Sequence, residues 1–281
     1  MSEATVAQPA PEMAAPPADT QGGPIWYELM TPDPAAVAAF YRTTLGWEIP
    51  AEGHPMPNGS AYREIKRTDG GFAGGVLTLT PSMASGGAHP GWLTYFNVDD
   101  VDASVRRAEG LGASVHMPPT TMEGVGRMAM LADPQGAPFY LMTPTPPPGN
   151  PDAKSDVFEP MKAGHCRWNE LNTTDAAGAL AFYTALFGWT AGMAMPMGPA
   201  GDYQFIEASG VPIGAISPCQ GKPSAWLPIF GVADIVSARA AAAASGGTIV
   251  DDIQEIPGGE FALSCTDPSG AALGFVGPKG A

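Results

Sequence analysis

At 281 residues the chain is long enough for about two domains, and 44% apolar residues with a mean hydropathy near zero suffice to bury ordinary cores. A net charge of −15 excludes a phosphate-backbone partner, which would need clustered Lys and Arg. No apolar run approaches the roughly 18 residues that a membrane-crossing helix requires, so no membrane partner is expected.

Residues 1–22 are rich in Ala and Pro and contain no Lys or Arg. Lacking a basic start and an apolar core, they are no secretory signal and predict a disordered acidic tail. An apolar run at 25–30 then leads into Asp33, a helix N-cap, with Pro34 at the first helical position. Val37, Phe40, Tyr41, Thr44 and Leu45 keep the 3-4-3-4 spacing of one helix face, and Gly46 stops the helix. Strands follow at 62–66 and 76–80, with Gly70-Gly71 and Gly74-Gly75 read as hairpin turns. The pattern restarts with a strand at 92–98 and a helix from about Asp100, with Val101, Val105 and Ala108 on one face. Gly110 and Gly112 close that helix, and short strands at 113–117, 127–131 and 139–142 complete the first half. Residues 146–161, opening in a proline-rich stretch, read as a semi-rigid linker.

The second half repeats the first. Pro24-Ile-Trp-Tyr-Glu-Leu-Met-Thr-Pro-Asp33 aligns with Cys166-Arg-Trp-Asn-Glu-Leu-Asn-Thr-Thr-Asp175, and Phe40-Tyr41 and Leu45-Gly46-Trp47 align with Phe182-Tyr183 and Phe187-Gly188-Trp189, all at an offset of 142. Trp92-Leu93, Val98, Gly112 and Asp133-Pro134 match Trp226-Leu227, Val232, Gly246 and Asp267-Pro268 at an offset of 134, so the second copy lacks eight residues in between. Two homologous domains result, 23–145 and 162–278, each built as strand-helix-three-strands twice over. The Met-rich stretch 193–197 falls in the loop after the second copy's helix. The three cysteines, Cys166, Cys219 and Cys265, are odd in number and none has C-x-x-C spacing, so reduced thiols in a cytoplasmic protein are expected.

This layout, with Trp26…Asp33…Phe40-Tyr41…Leu45-Gly46-Trp47, then Val98-Asp99-Asp100-Val101, then Asp133-Pro134-Gln135-Gly136, resembles the vicinal oxygen chelate superfamily of glyoxalases, bleomycin-resistance proteins and extradiol dioxygenases. The second copy carries the same motifs, and the Trp-x-Glu-Leu start is similar to a tandem, glyoxalase-like branch. The resemblance implies an α+β fold of two tandem domains, each a concave, partly closed mixed sheet with helices outside. It also implies metal ligands at three positions of each copy, which here hold Trp26, Leu93 and Tyr140, and Trp168, Leu227 and Gly274. A fourth position falls around residues 74–76 and 213–215, with no acid or His. Trp, Leu and Gly offer no ligand atoms, and one phenolate alone makes no site, so neither a metal nor another cofactor is expected. The four histidines have no metal spacing either.

Glu28 and Glu170 are the candidate catalytic groups. Each stands two residues beyond a ligand position, on the same concave face by strand alternation, inside an apolar run where a carboxyl would have a raised pKa. Such a group can act as general acid or base, or it can accept local hydrogen bonds and fix the fold. Trp26, Trp168, Leu93, Leu227 and Tyr140 are the candidate ligand-binding residues, with the indoles as flat walls for a planar ligand. Tyr140 is replaced by Gly274 in the second copy, so the two cavities should differ, and the first is the better candidate for occupancy. Three functions remain open at this point: a metal-free small-molecule-binding protein, a cofactor-independent isomerase, lyase or hydroxylase-like enzyme, and a divergent metal-dependent glyoxalase or dioxygenase. The domains could pair within a monomer or through a homodimer.

Overall fold

The computed structural model describes residues 20–219 and 221–280. The expected tail lies outside the described residues up to position 19. Domain 1 begins with β1 (Pro24–Thr31), whose period-two alternation sends Tyr27 and Leu29 into a fully buried layer and Trp26 and Glu28 to the opposite face. Helix α1 (Pro34–Leu45) starts where the Asp33 side chain accepts the Ala36 N–H at 3.1 Å, and it ends at Gly46 with φ +71°. Then come β2 (His54–Pro55), β3 (Ala61–Lys66), β4 (Phe72–Thr78) and a short helix α2 (Pro81–Ser85) capped by Thr80. The second unit of the domain is β5 (Gly91–Asn97), α3 (Val101–Gly110), β6 (Ser114–Met122), β7 (Gly126–Ala132) and β8 (Pro138–Pro144).

These eight strands form one mixed sheet in the order β2-β3-β4-β1-β5-β8-β7-β6. β1 and β5 pair antiparallel at its centre, and each pairs parallel with the last strand of its own unit, β4 or β8. Domain 2 repeats the plan with β9 (Cys166–Thr173), α4 (Ala176–Phe187), β10 (Thr190–Pro196), β11 (Asp202–Ala208), β12 (Val211–Pro218), β13 (Ala225–Gly231), α5 (Ile235–Ala244), β14 (Thr248–Ile249), β15 (Gln254–Glu255), β16 (Phe261–Thr266) and β17 (Ala272–Gly277). The fold is α+β, with two such sheets and no helix among the described residues long and apolar enough to cross a membrane.

Three details depart from the sequence reading. Gly74-Gly75 lies inside β4 rather than in a hairpin turn. A Cβ on Gly74 would collide with the Tyr27 carbonyl, and one on Gly75 with the Tyr62 hydroxyl, so these glycines serve close approach. The Met-rich stretch lies largely in edge strand β10 instead of a loop, with Met193 and Met197 exposed. Helix α2 has no counterpart among the described residues: twelve residues separate β4 from β5, whereas six separate β12 from β13. This connection therefore holds most of the eight-residue difference between the copies.

The domains pack on one another within the chain through one aromatic-rich core. Contacts across it come in reciprocal pairs. Tyr41 donates to Asp267 Oδ2 at 3.0 Å, and its equivalent Tyr183 donates to Asp133 Oδ2 at 3.1 Å. Trp47 Nε1 donates to the Gly164 carbonyl at 2.9 Å, and Trp189 Nε1 to that of Gly22 at 3.2 Å. Tyr27 donates at 2.9 Å to Asn169 Oδ1, the residue 142 positions on and thus its own equivalent, which marks a pseudo-two-fold axis. The connection between the domains is anchored: Val157 and Phe158 are buried, and Ser155 Oγ donates to the Ile25 carbonyl at 2.6 Å.

Candidate functional site

On its concave face each sheet carries the Glu and Trp of its first strand, and the two faces differ. In domain 1, Trp26, Glu28, Leu93 and Tyr140 come together as expected. Glu28 and Leu93 are paired in register across β1 and β5, and Tyr95 and Tyr140 across β5 and β8. Around them lies a second, separate apolar cluster containing Met30, Met128 and Met142, closed over by Met56, Met83, Met117, Met122 and Met130. Eight of the chain's 14 methionines thus line this one cup, which makes its walls unbranched and adaptable. Met83 and Ala88, from α2 and the turn after it, form part of the rim. A groove of about 580 Å³ runs beside α2, lined by Pro32, Leu79, Pro81, Ala88, His89 and Pro90; it shares Leu79 and Ala88 with the cup and reaches neither Glu28 nor the tyrosines.

At the floor of the cup Glu28 is 3% exposed. Tyr95 donates to its Oε2 at 2.9 Å, while Oε1 has no hydrogen-bond partner. Burial drives its pKa up to about 7 against the opposing hydrogen bond from Tyr95. Tyr95 is stacked on Tyr140, with ring centroids 4.1 Å apart and planes 10° from parallel. Trp26 Nε1 donates to the Tyr62 hydroxyl at 2.6 Å. Tyr62, Tyr95 and Tyr140 all have hydroxyl pKa values raised by burial and by the nearby Glu28 charge, so they stay protonated.

The domain 2 face holds Trp168, Glu170 and Leu227, all half-buried in a shallower, more open surface. Glu170 is fully satisfied: Tyr203 donates to Oε2 at 2.8 Å and Asn172 Nδ2 to Oε1 at 3.0 Å. Its pKa is also raised by burial, against the hydrogen bonds of Tyr203 and Asn172. Trp168 Nε1 donates to Tyr203 at 2.8 Å, the counterpart of the Trp26–Tyr62 contact. Where domain 1 stacks Tyr95 on Tyr140, domain 2 has Ile229 against Gly274.

The donors around Glu28 are one carboxyl and three phenols. That set does not suit the divalent metal implied by the family resemblance, which needs several imidazole or carboxylate ligands. Among the described residues one group does gather three ligand-type atoms within 4.8 Å: Asp69, Asp156 and His165. It is formed by the β3–β4 turn, the connection between domains and the approach to β9, segments too far apart in the chain for spacing to reveal. Its carboxylates already clasp Arg67, whose Nη2 lies 2.5 Å from Asp156 Oδ2 and whose Nε lies 3.0 Å from Asp69 Oδ1. A cation there would have to displace a buried guanidinium. The His165 ring is buried, which with the Arg67 charge lowers its pKa, and its Nε2 is 3.6 Å from Asp69 Oδ2 without a hydrogen bond. The arrangement acts first as an ion-pair lock holding the connecting segment to domain 1.

Tyr62, Tyr95, Tyr203, Asn172 and the methionine lining carry no signal of their place at these sites in the sequence. Tyr62 and Tyr95 lie on predicted strands, but which face they share with Glu28 depends on the pairing register, which alternation within one strand does not set.

The profile of the Glyoxalase/Bleomycin resistance protein/Dioxygenase superfamily matches residues 23–141. "Putative glyoxylase CFP32" of Mycobacterium tuberculosis is 32% identical over 261 residues, covering 92% of this chain and 95% of that protein. Anthracycline biosynthesis protein DnrV of Streptomyces peucetius is 29% identical over 276 residues, covering 91% and 93%. Among solved structures, a homoprotocatechuate 2,3-dioxygenase variant from Brevibacterium fuscum superposes with a TM-score of 0.62 at 17% identity, over 93% of this chain and 72% of that one, a likeness of fold.

Proposed function

The chain belongs to the glyoxalase/bleomycin resistance protein/dioxygenase superfamily, and from that premise we propose that it is a small-molecule-binding protein. Its ligand lies in the domain 1 cup, held without a metal by Glu28, Trp26, Leu93 and Tyr140. One observation carries this reading: a buried carboxyl oxygen, Glu28 Oε1, is left without a partner inside a cup of thioethers and aromatic rings. An unsatisfied buried polar atom costs about 1–3 kcal/mol, a penalty a ligand donor would remove. The Tyr95–Tyr140 stack and Trp26 favour a planar molecule, and the relatives named for anthracycline biosynthesis support an aromatic one. The methionine rim supports a ligand that enters by displacing side chains.

A second reading, proton transfer by Glu28 in a cofactor-independent isomerase, lyase or hydroxylase-like reaction, is favoured by the pKa of about 7, close to the optimum for a group that must both take and give a proton. Glu170, with both oxygens occupied, is less suited to either role. Thermal-shift screening of planar aromatic compounds, repeated on Glu28→Gln, separates the readings. Lost or weakened affinity in the variant supports binding through Glu28. Unchanged affinity with lost turnover supports proton transfer. Binding by no compound in the unaltered chain removes the first reading.

A further inference from the structure

We propose that the domain 1 cup takes a planar phenol, with the phenolic hydroxyl lodged between Glu28 Oε1 and the Tyr62 hydroxyl. This deepens the binding reading above and rests on it. At the floor of the cup Glu28 and Tyr62 each keep one hydrogen-bonding capacity unused. Glu28 Oε1 receives no proton donor. The Tyr62 hydroxyl accepts from Trp26, yet its own proton meets no acceptor among the described residues. The Tyr62 hydroxyl sits over Gly75, close enough that a Cβ there would collide with it, and Gly75 is the register partner of Glu28. One acceptor and one donor therefore lie on the same face of the sheet, over the adjacent strands β1 and β4.

The second copy shows the same chemistry closed on itself. Ala215 occupies the place of Gly75, paired in register with Glu170, and the tyrosine equivalent to Tyr62, Tyr203, turns its proton onto Glu170. Asn172, in the place of Met30, fills the other oxygen. Domain 1 has a glycine and a methionine at these two positions, and both changes leave its carboxyl open.

The chemistry of the gap selects the ligand. A phenol has one proton to donate and lone pairs to accept, so it satisfies Glu28 and Tyr62 together. An ether or ketone would take the Tyr62 proton but leave an ionised Glu28 unpaired. An amine would satisfy Glu28 and turn a donor toward Tyr62. A carboxylate would meet both the Glu28 charge and the overall charge of −15. The aromatic body of a phenol matches the Tyr95–Tyr140 stack and the thioether walls.

The test is a titration of the full chain at pH 8 with 2-naphthol and with 2-methoxynaphthalene, which differ in the donated proton, followed by probe fluorescence anisotropy. The naphthol should bind at least about tenfold more tightly, equivalent to ~1.4 kcal/mol. Glu28→Met and Tyr62→Phe should each cut the preference to about threefold or less, while Glu170→Met and Tyr203→Phe leave it unchanged. Equal affinity for the two probes in the unaltered chain overturns the phenol assignment and spares the cup as a binding site. Binding of neither overturns both. A preference that survives in Glu28→Met and Tyr62→Phe but falls in the domain 2 pair overturns the placement.

Discussion

Glu28 and Glu170 occupy equivalent positions on β1 and β9, and their neighbours give them different chemistry. The raised pKa of Glu28 means that its neutral form is favoured in the fold. Its contribution to stability is present below the unfolded value of about 4.5 and is lost as pH rises toward about 7. Glu28→Gln, which cannot ionise, should therefore raise the melting temperature at pH 8 by several degrees, reflecting about 2–3 kcal/mol, with little change at pH 4.5. Differential scanning calorimetry at the two pH values checks this, and a loss of stability at pH 8 would mean that the carboxylate serves the fold. Glu170→Gln should bring a smaller gain, since Tyr203 and Asn172 partly support the carboxylate against its burial. Gly75→Ala should push the Tyr62 ring off its seat and weaken ligand binding about tenfold without unfolding the chain, because Gly75 has no positive φ to preserve. At this scale the sequence showed Glu28, Trp26 and Tyr140, because motif positions and strand alternation place them. It could not show which carboxyl oxygen is left open, because that depends on Tyr62 and Tyr95 arriving from other strands.

Most of the elements follow from local signals. Asp33, Asp100, Asp175 and Asp234 cap the starts of α1, α3, α4 and α5, each side chain accepting backbone N–H groups at the first turn. The exceptions have tertiary causes. Gly74-Gly75 reads locally as a turn and becomes strand because Tyr27 and Tyr62 must pass close above and below it. Helix α2 has five residues and no buried side chain, so no apolar periodicity announces it; Thr80 and Pro81 alone mark its start. Its Met83 closes one side of the cup. Replacing the twelve-residue connection between β4 and β5 with a six-residue one, as between β12 and β13, should leave the fold intact and open the cup. Acrylamide quenching of tryptophan fluorescence should increase through Trp26, and ligand association should accelerate severalfold by stopped flow. An unchanged association rate would place the entrance elsewhere. In the connection between domains, Asp156→Asn should weaken the hold on buried Arg67 by about 1 kcal/mol. Faster proteolysis at residues 146–154 is the expected readout.

The whole molecule is two copies of one plan facing each other across a shared core, and this was legible in the repeat with its constant offset. How the copies face each other was not, because Tyr41, Trp47, Asp133 and Gly164 give no sign in sequence of which domain will receive them. The reciprocal bonds make each half incomplete alone: the Asp-Pro turn of one completes the helix tyrosine of the other. A chain cut between residues 147 and 152 should therefore stay soluble when both pieces are co-expressed and aggregate when either is made singly, with size-exclusion chromatography as the readout. The same exchange fixes an order of events during synthesis. Tyr41 leaves the ribosome early, but its partner Asp267 follows only 226 residues later. At about 5–20 residues per second, the convex face of the first half waits on the order of ten seconds or more before the surface that covers it exists. For that interval a nascent chain presents an unfinished aromatic layer to the cell, and a chain truncated before Asp267 would leave it unfinished for good.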